Sequence, residues 1–143
     1  MRVMAMIKAT PDSEAGAMPT QEELEAMTAF NEQLVKAGVL LGGEGLLPSA
    51  KGVKVRWSGG KQTVIDGPFT EAKELVAGFW ILQVSSMEEA VEWVKRVPNV
   101  RGTDAEIELR QIAEAEDFGE AYTPEIEERE NRMRAQTEAR SAS

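Results

Sequence analysis

The stretch Gly59-Gly60-Lys61-Gln62-Thr63-Val64-Ile65-Asp66-Gly67-Pro68-Phe69 holds the densest turn chemistry in the chain, and its reading decides the fold. Before it, Val53, Val55 and Trp57 alternate with Lys54 and Arg56; Gln62 to Ile65 follow the glycine pair. Glycine reaches positive φ without a Cβ clash, so Gly59-Gly60 between two such runs predicts a tight β-hairpin. Pro68 has no N–H to give a ladder and drives Gly67 away from helix, so the chain must turn at Asp66–Phe69. Asp66 then has two readings: a turn carboxylate that accepts backbone N–H groups, or a base or ligand contact at the mouth of a cleft.

Working outward, two other segments are apolar on both faces. In Arg2–Lys8, Val3, Ala5 and Ile7 oppose Met4 and Met6; in Leu75–Val84, Phe79 and Ile81 oppose Trp80, Leu82 and Val84. Both predict interior strands. Residues 9–19 read as a polar loop. Thr20 with Glu23 forms a capping box, and Leu24, Met27, Phe30, Leu34 and Val35 recur at helical spacing until Gly38 stops the helix. Asn31 lies beside this stripe as a boundary residue. Val39–Leu47, broken by Gly42, Gly43 and Gly45, predicts an irregular strand with a bulge, on which Glu44 is either a solvated carboxylate or a group a ligand could reach. Thr70–Glu74 is long enough for one helical turn. Ser86 and Glu89, in capping-box spacing, open a second helix. Ala105–Ile112 alternates Ile107 and Leu109 with charges and predicts a half-exposed edge strand. From Ala113 onward nine acids and four arginines dominate; Thr123-Pro124 opens a tail helix with Glu125/Arg129, Glu128/Arg132 and Glu130/Arg134 at i,i+4 and Ile126 and Met133 as its apolar anchors.

The order β–α–β–hairpin–β–α–β is that of a ferredoxin-like split βαβ subunit of the α+β class. Its two helices cover one face of a four-stranded sheet. The two central strands are apolar on the other face too, which predicts a homodimer that packs sheet on sheet. Residues 1–118 form the domain; 119–143 form a charged tail, helical in part.

Composition sets limits. The 143 residues carry a net charge of −9, with no cysteine and no histidine. That removes disulfides, thiolate nucleophiles, Cys or His metal sites and the usual neutral-pH base. The acidity argues against nucleic-acid binding and against an anionic membrane surface. No apolar run approaches a spanning helix and no signal-peptide core opens the chain, so the expected location is the cytoplasm. Neither a metal-binding loop nor a phosphate-binding glycine loop is present, and no cofactor is expected.

Asp66-Gly67-Pro68-Phe69, with Glu71, Lys73-Glu74-Leu75 and Gly78-Phe79 after it, resembles the signature of the DGPF branch of the YCII-related proteins. The likeness extends back through Glu14-Ala15-Gly16, Leu34–Gly38 and Gly43–Leu46 and forward to Phe118. It implies a ferredoxin-like α+β subunit that pairs into a dimeric α/β barrel, with no established activity for most members. Enzymatic relatives are thought to use a His–Asp pair; Asp66 matches the aspartate, but this chain has no histidine to pair with it.

Asp66 and Glu44 are the candidate catalytic carboxylates. Lys8, Arg56, Phe69, Glu71, Lys73 and Phe79 are the candidate ligand contacts, within a cleft between sheet and helices walled by Phe69, Phe79, Trp80 and Trp57. Three functions compete. The first is a small-molecule binding protein with its cleft near Asp66–Phe69. The second is an enzyme using carboxylate acid/base catalysis on a small cyclic or enol-type metabolite. The third is a regulatory interaction protein using its tail, since related domains are found with alternative sigma factors.

Overall fold

A computed structural model describes residues 1–141, which fall into two compact units, 1–111 and 112 onward. The first unit opens with β1 (Arg2–Lys8), a one-turn helix α1 (Pro11–Glu14) and α2 (Gln21–Lys36). It continues with β2 (Leu40–Gly45), the ribbon strands β3 (Val53–Ser58) and β4 (Lys61–Asp66), β5 (Val76–Gln83), α3 (Met87–Val94) and β6 (Ile107–Gln111). The main sheet has the order β2-β5-β1-β6, and every pairing is antiparallel. Each helix links two strands that are not neighbours, which is the ferredoxin-like split βαβ arrangement. As expected, β1 and β5 are central and β6 is an edge.

Register shows which side chains share a face. Val3 pairs with Leu82, Ala5 with both Trp80 and Leu109, and Ile7 with Ile107. These pack with Phe30 and Leu34 of α2 and Ala90 of α3 in one core. Phe30 meets Trp80 edge to face at 5.8 Å. Asn31 does more than mark a boundary, since its side-chain carbonyl accepts the Trp80 indole N–H at 2.9 Å. The other face carries Met4 opposite Ile81 and Met6 opposite Phe79, and neither α2 nor α3 covers it.

Local chemistry explains most boundaries. Thr20 and Glu23 form the reciprocal capping box of α2, and Gly38 ends it at φ 72°. Gly59 and Gly60 both take positive φ, at 57° and 76°, as a two-residue primed hairpin turn demands. The bulge in β2 falls between Leu40 and Gly42. Three expectations need correction. The segment read as a loop contains α1, because Thr10 and Ser13 cap each other across Pro11. The α2 stripe is narrower than its spacing suggests: Leu24 is 54% exposed and Val35 63%, since the buried line runs Met27, Phe30, Leu34, and Val35 lies a further 100° around the helix. Ahead of α3, Glu89 accepts the Ser85 N–H at 2.6 Å, and the Ser86 side chain alone caps the helix.

The second unit comprises a 3-10 segment, Ala115–Ala121, and α4 (Pro124–Ser141). Thr123 caps α4 by accepting the Ile126 N–H at 3.3 Å. Glu128–Arg132 at 3.1 Å and Glu130–Arg134 at 3.9 Å form as spaced. The Tyr122 hydroxyl donates to Glu130, which holds the phenol pKa above its ordinary value.

Candidate functional site

The Asp66–Phe69 turn is assembled from three segments distant in sequence. In α1, the Thr10 hydroxyl accepts the Ser13 N–H at 3.2 Å and the Ser13 hydroxyl accepts the Thr10 N–H at 2.8 Å. This fixed turn presents Glu14 to the 3-10 turn Ser49–Lys51. Glu14 accepts the Ser49 N–H at 3.0 Å through one oxygen and the Ser49 hydroxyl, in a close contact, through the other. Ser49 Oγ in turn accepts the Phe69 N–H at 3.0 Å. Each bond in this series polarises the next, and the carboxylate at its end makes it stronger than a neutral series.

Gly67 completes the assembly. Its N–H donates to the Gly52 carbonyl at 2.9 Å. A Cβ at Gly67 would lie 1.7 Å from the Ser49 carbonyl oxygen, so the backbones meet where only glycine fits. The Gly67–Pro68 bond is cis. Phe69 is partly buried, and the Lys54 ammonium sits 4.1 Å from its ring centroid in a cation–π contact.

The remaining predicted site residues divide between the two sheets. Asp66 ends β4 opposite Val53 and is exposed. Arg56 is exposed in β3 opposite Thr63. Glu44 is exposed on β2 and pairs with Phe79, which also faces Met6. Lys8 ends β1 and pairs with Glu108 at 3.4 Å. Glu71 and Lys73 are exposed at the 3-10 turn Ala72–Glu74, where the Glu71 carbonyl accepts the Glu74 N–H. Phe79, Glu44 and Lys8 therefore belong to the main sheet, and Asp66, Arg56 and Phe69 to the ribbon and its turn.

The expected aromatic wall does not form. Trp80 is only 5% exposed and points to the helices, whereas its neighbour Phe79 necessarily points the other way; Trp57 is 70% exposed on the ribbon. The space between sheet and helices is filled core, and the expected cleft there is absent among the described residues. Glu14 and Ser49 are the members that sequence reasoning does not mark as site residues. Their only local signals are the Thr10-Pro11-x-Ser13 cap and a serine after Pro48, while the bond between them spans 35 positions.

A separate concavity of about 320 Å³ is lined by Thr10, Asp12, Met27, Asn99 and Arg101, among others. Arg101 Nε donates to Glu23 at 2.8 Å and its Nη2 to the Met18 carbonyl at 3.2 Å. The Arg101 hydrogen bond, followed by that of the Thr20 N–H, holds the Glu23 carboxyl below its ordinary 4.5. A depressed carboxylate contributes stability that is full above the unfolded value and is lost as pH falls through the folded one. Arg101→Gln should therefore lower the thermal midpoint at pH 7 by a small amount that shrinks below pH 4.5. Thermal melts of both proteins from pH 7 to pH 3 check this, and a deficit that grew on acidification would contradict it.

The YCII-related domain profile matches residues 1–121. An uncharacterized protein of Rhizobium meliloti (strain 1021) is 31% identical over 87 residues, which are 61% of this chain and 70% of that protein. The solved 5-chloro-2-hydroxyhydroquinone dehydrochlorinase of Burkholderia phenoliruptrix AC1100, in complex with 2,5-dihydroxybenzoquinone, aligns at TM-score 0.48 and 18% identity, over 82% of this chain and 98% of that one. A likeness at that level transfers neither ligand nor reaction. The match over residues 1–121 is what places the chain: it belongs to the YCII-related domain family.

Proposed function

We propose that this chain belongs to the DGPF branch of its family, pairs into a homodimeric α/β barrel through the face of its main sheet that α2 and α3 leave uncovered, and binds a small molecule beside the Asp66–Phe69 turn. The observation that carries the binding reading is the construction of that turn. Ser49, itself held by Glu14, fastens the Phe69 N–H, and the Gly52 carbonyl fastens the Gly67 N–H, yet Asp66 is left exposed at the edge of the turn. A turn that only reversed the chain would not need a buttress spanning 35 and 20 positions of sequence. A contact residue held on a rigid platform does need one. The dimer reading is supported by Met4, Met6, Phe79 and Ile81, which form an apolar strip across the central strands on the face that α2 and α3 leave uncovered.

Binding is favoured over carboxylate catalysis. Acid/base work by a carboxylate calls for burial or a close second carboxylate, and Asp66 and Glu44 are both exposed, on different sheets. A thermal-shift screen against small organic metabolites, with Asp66→Asn run in parallel, tests the reading. A ligand at about 100 times its Kd adds about 2.7 kcal/mol, which raises the melting point by roughly 5–10 °C for a domain of this size. The shift should vanish or fall sharply in Asp66→Asn. A shift equal in both proteins would move the site away from the turn.

A further inference from the structure

The β3–β4 ribbon has a largely apolar face that is exposed. Val53, Val55, Trp57 and Val64 share that face by register with Gln62 and, at its base, Asp66, and the four apolar residues are 61%, 48%, 70% and 67% exposed. Leu46 and Leu47, in the approach to the ribbon, are 50% and 77% exposed. A two-stranded ribbon is marginally stable in water unless its apolar face is packed. Among the described residues its backbone hydrogen bonds to the rest of the chain are at its base, where Gly67 meets Gly52.

The charge of the ribbon is opposite to that of the rest of the chain. Lys51, Lys54, Arg56 and Lys61 fall within eleven residues that contain no acid, Lys54, Arg56 and Lys61 lining the ribbon's other face by register, in a protein of net charge −9. The surface most complementary to a basic, apolar arm is therefore the acidic body of another copy of the same protein. From this we infer that the ribbon is a dimer clasp: each subunit lays Val53, Val55, Trp57 and Val64 against the other, in a two-fold exchange that covers both arms at once. Trp57 is the anchor, because a large aromatic that goes from exposed to buried dominates such contacts. The inference rests on the dimer reading above and adds where the partner is gripped.

The test is sedimentation equilibrium of the full chain and of the double variant Val55→Thr, Trp57→Thr. Both positions are exposed and threonine keeps strand propensity, so the subunit should fold unchanged by far-UV circular dichroism. The dimer dissociation constant of the variant should rise at least about tenfold. In the parent protein, acrylamide quenching of tryptophan emission should decrease as concentration passes through that constant. A parent dimer matched by an equally tight variant dimer overturns the clasp and leaves the sheet-on-sheet dimer standing. A parent chain that remains monomeric at all concentrations overturns the dimer reading and the clasp together.

Discussion

Gly67→Ala is expected to destabilise the protein by roughly 3 kcal/mol, a fall in melting point on the order of 10 °C. The added Cβ would stand 1.7 Å from the Ser49 carbonyl oxygen and 2.6 Å from its carbon. Both are backbone atoms, so no flexible side chain can move aside. If residue 49 retreats, its bonds to Glu14 and Phe69 are stretched. If the turn retreats, the Gly67–Gly52 bond opens. Gly45→Ala serves as the control: a Cβ there meets nothing within 4 Å, and the change should stay within about 0.5 kcal/mol. Urea denaturation of both variants gives the comparison. A Gly67→Ala protein as stable as the control would mean that the turn is not clamped.

Leu82→Ala should cost about 3 kcal/mol, by lost transfer free energy and by the cavity left behind. Leu82 is 1% exposed, lies between Val3 of β1 and Leu40 of β2, and packs in the core with Leu34, also 1% exposed. It joins the two split βαβ halves, so no single element can relax to close the void. Leu82→Met, which preserves volume, should cost less than about 1.5 kcal/mol. Equal losses for the two substitutions would show that shape at this position, and not volume, decides stability.

The fold was legible because its signals are local. Thr20 and Glu23, Gly38, the Gly59-Gly60 pair and the two-sided apolar runs of β1 and β5 each act within a few residues, and each is where its spacing places it. The candidate site was legible only in part. Asp66 to Phe69 could be recognised as a turn, yet what braces it is a carboxylate and a hydroxyl far upstream, and no periodicity records such a pairing. The aromatic wall failed for an elementary reason: Phe79 and Trp80 are consecutive on a strand and cannot face one cleft. The Glu23–Arg101 pair, 78 positions apart, was invisible for the same reason as Glu14–Ser49.

The hydrogen bond between Gly67 and Gly52 closes the ribbon at its root. Everything between these two glycines is thereby a cassette with a fixed mouth. Its length and composition can drift without disturbing the main sheet, since lengthening a closed loop adds free energy only logarithmically. At the mouth Gly67 has no such freedom, whereas a Cβ at Gly52 would meet the Ser49 carbonyl oxygen at an ordinary 3.5 Å. The mouth therefore answers to the fold, and the cassette answers to whatever the ribbon touches.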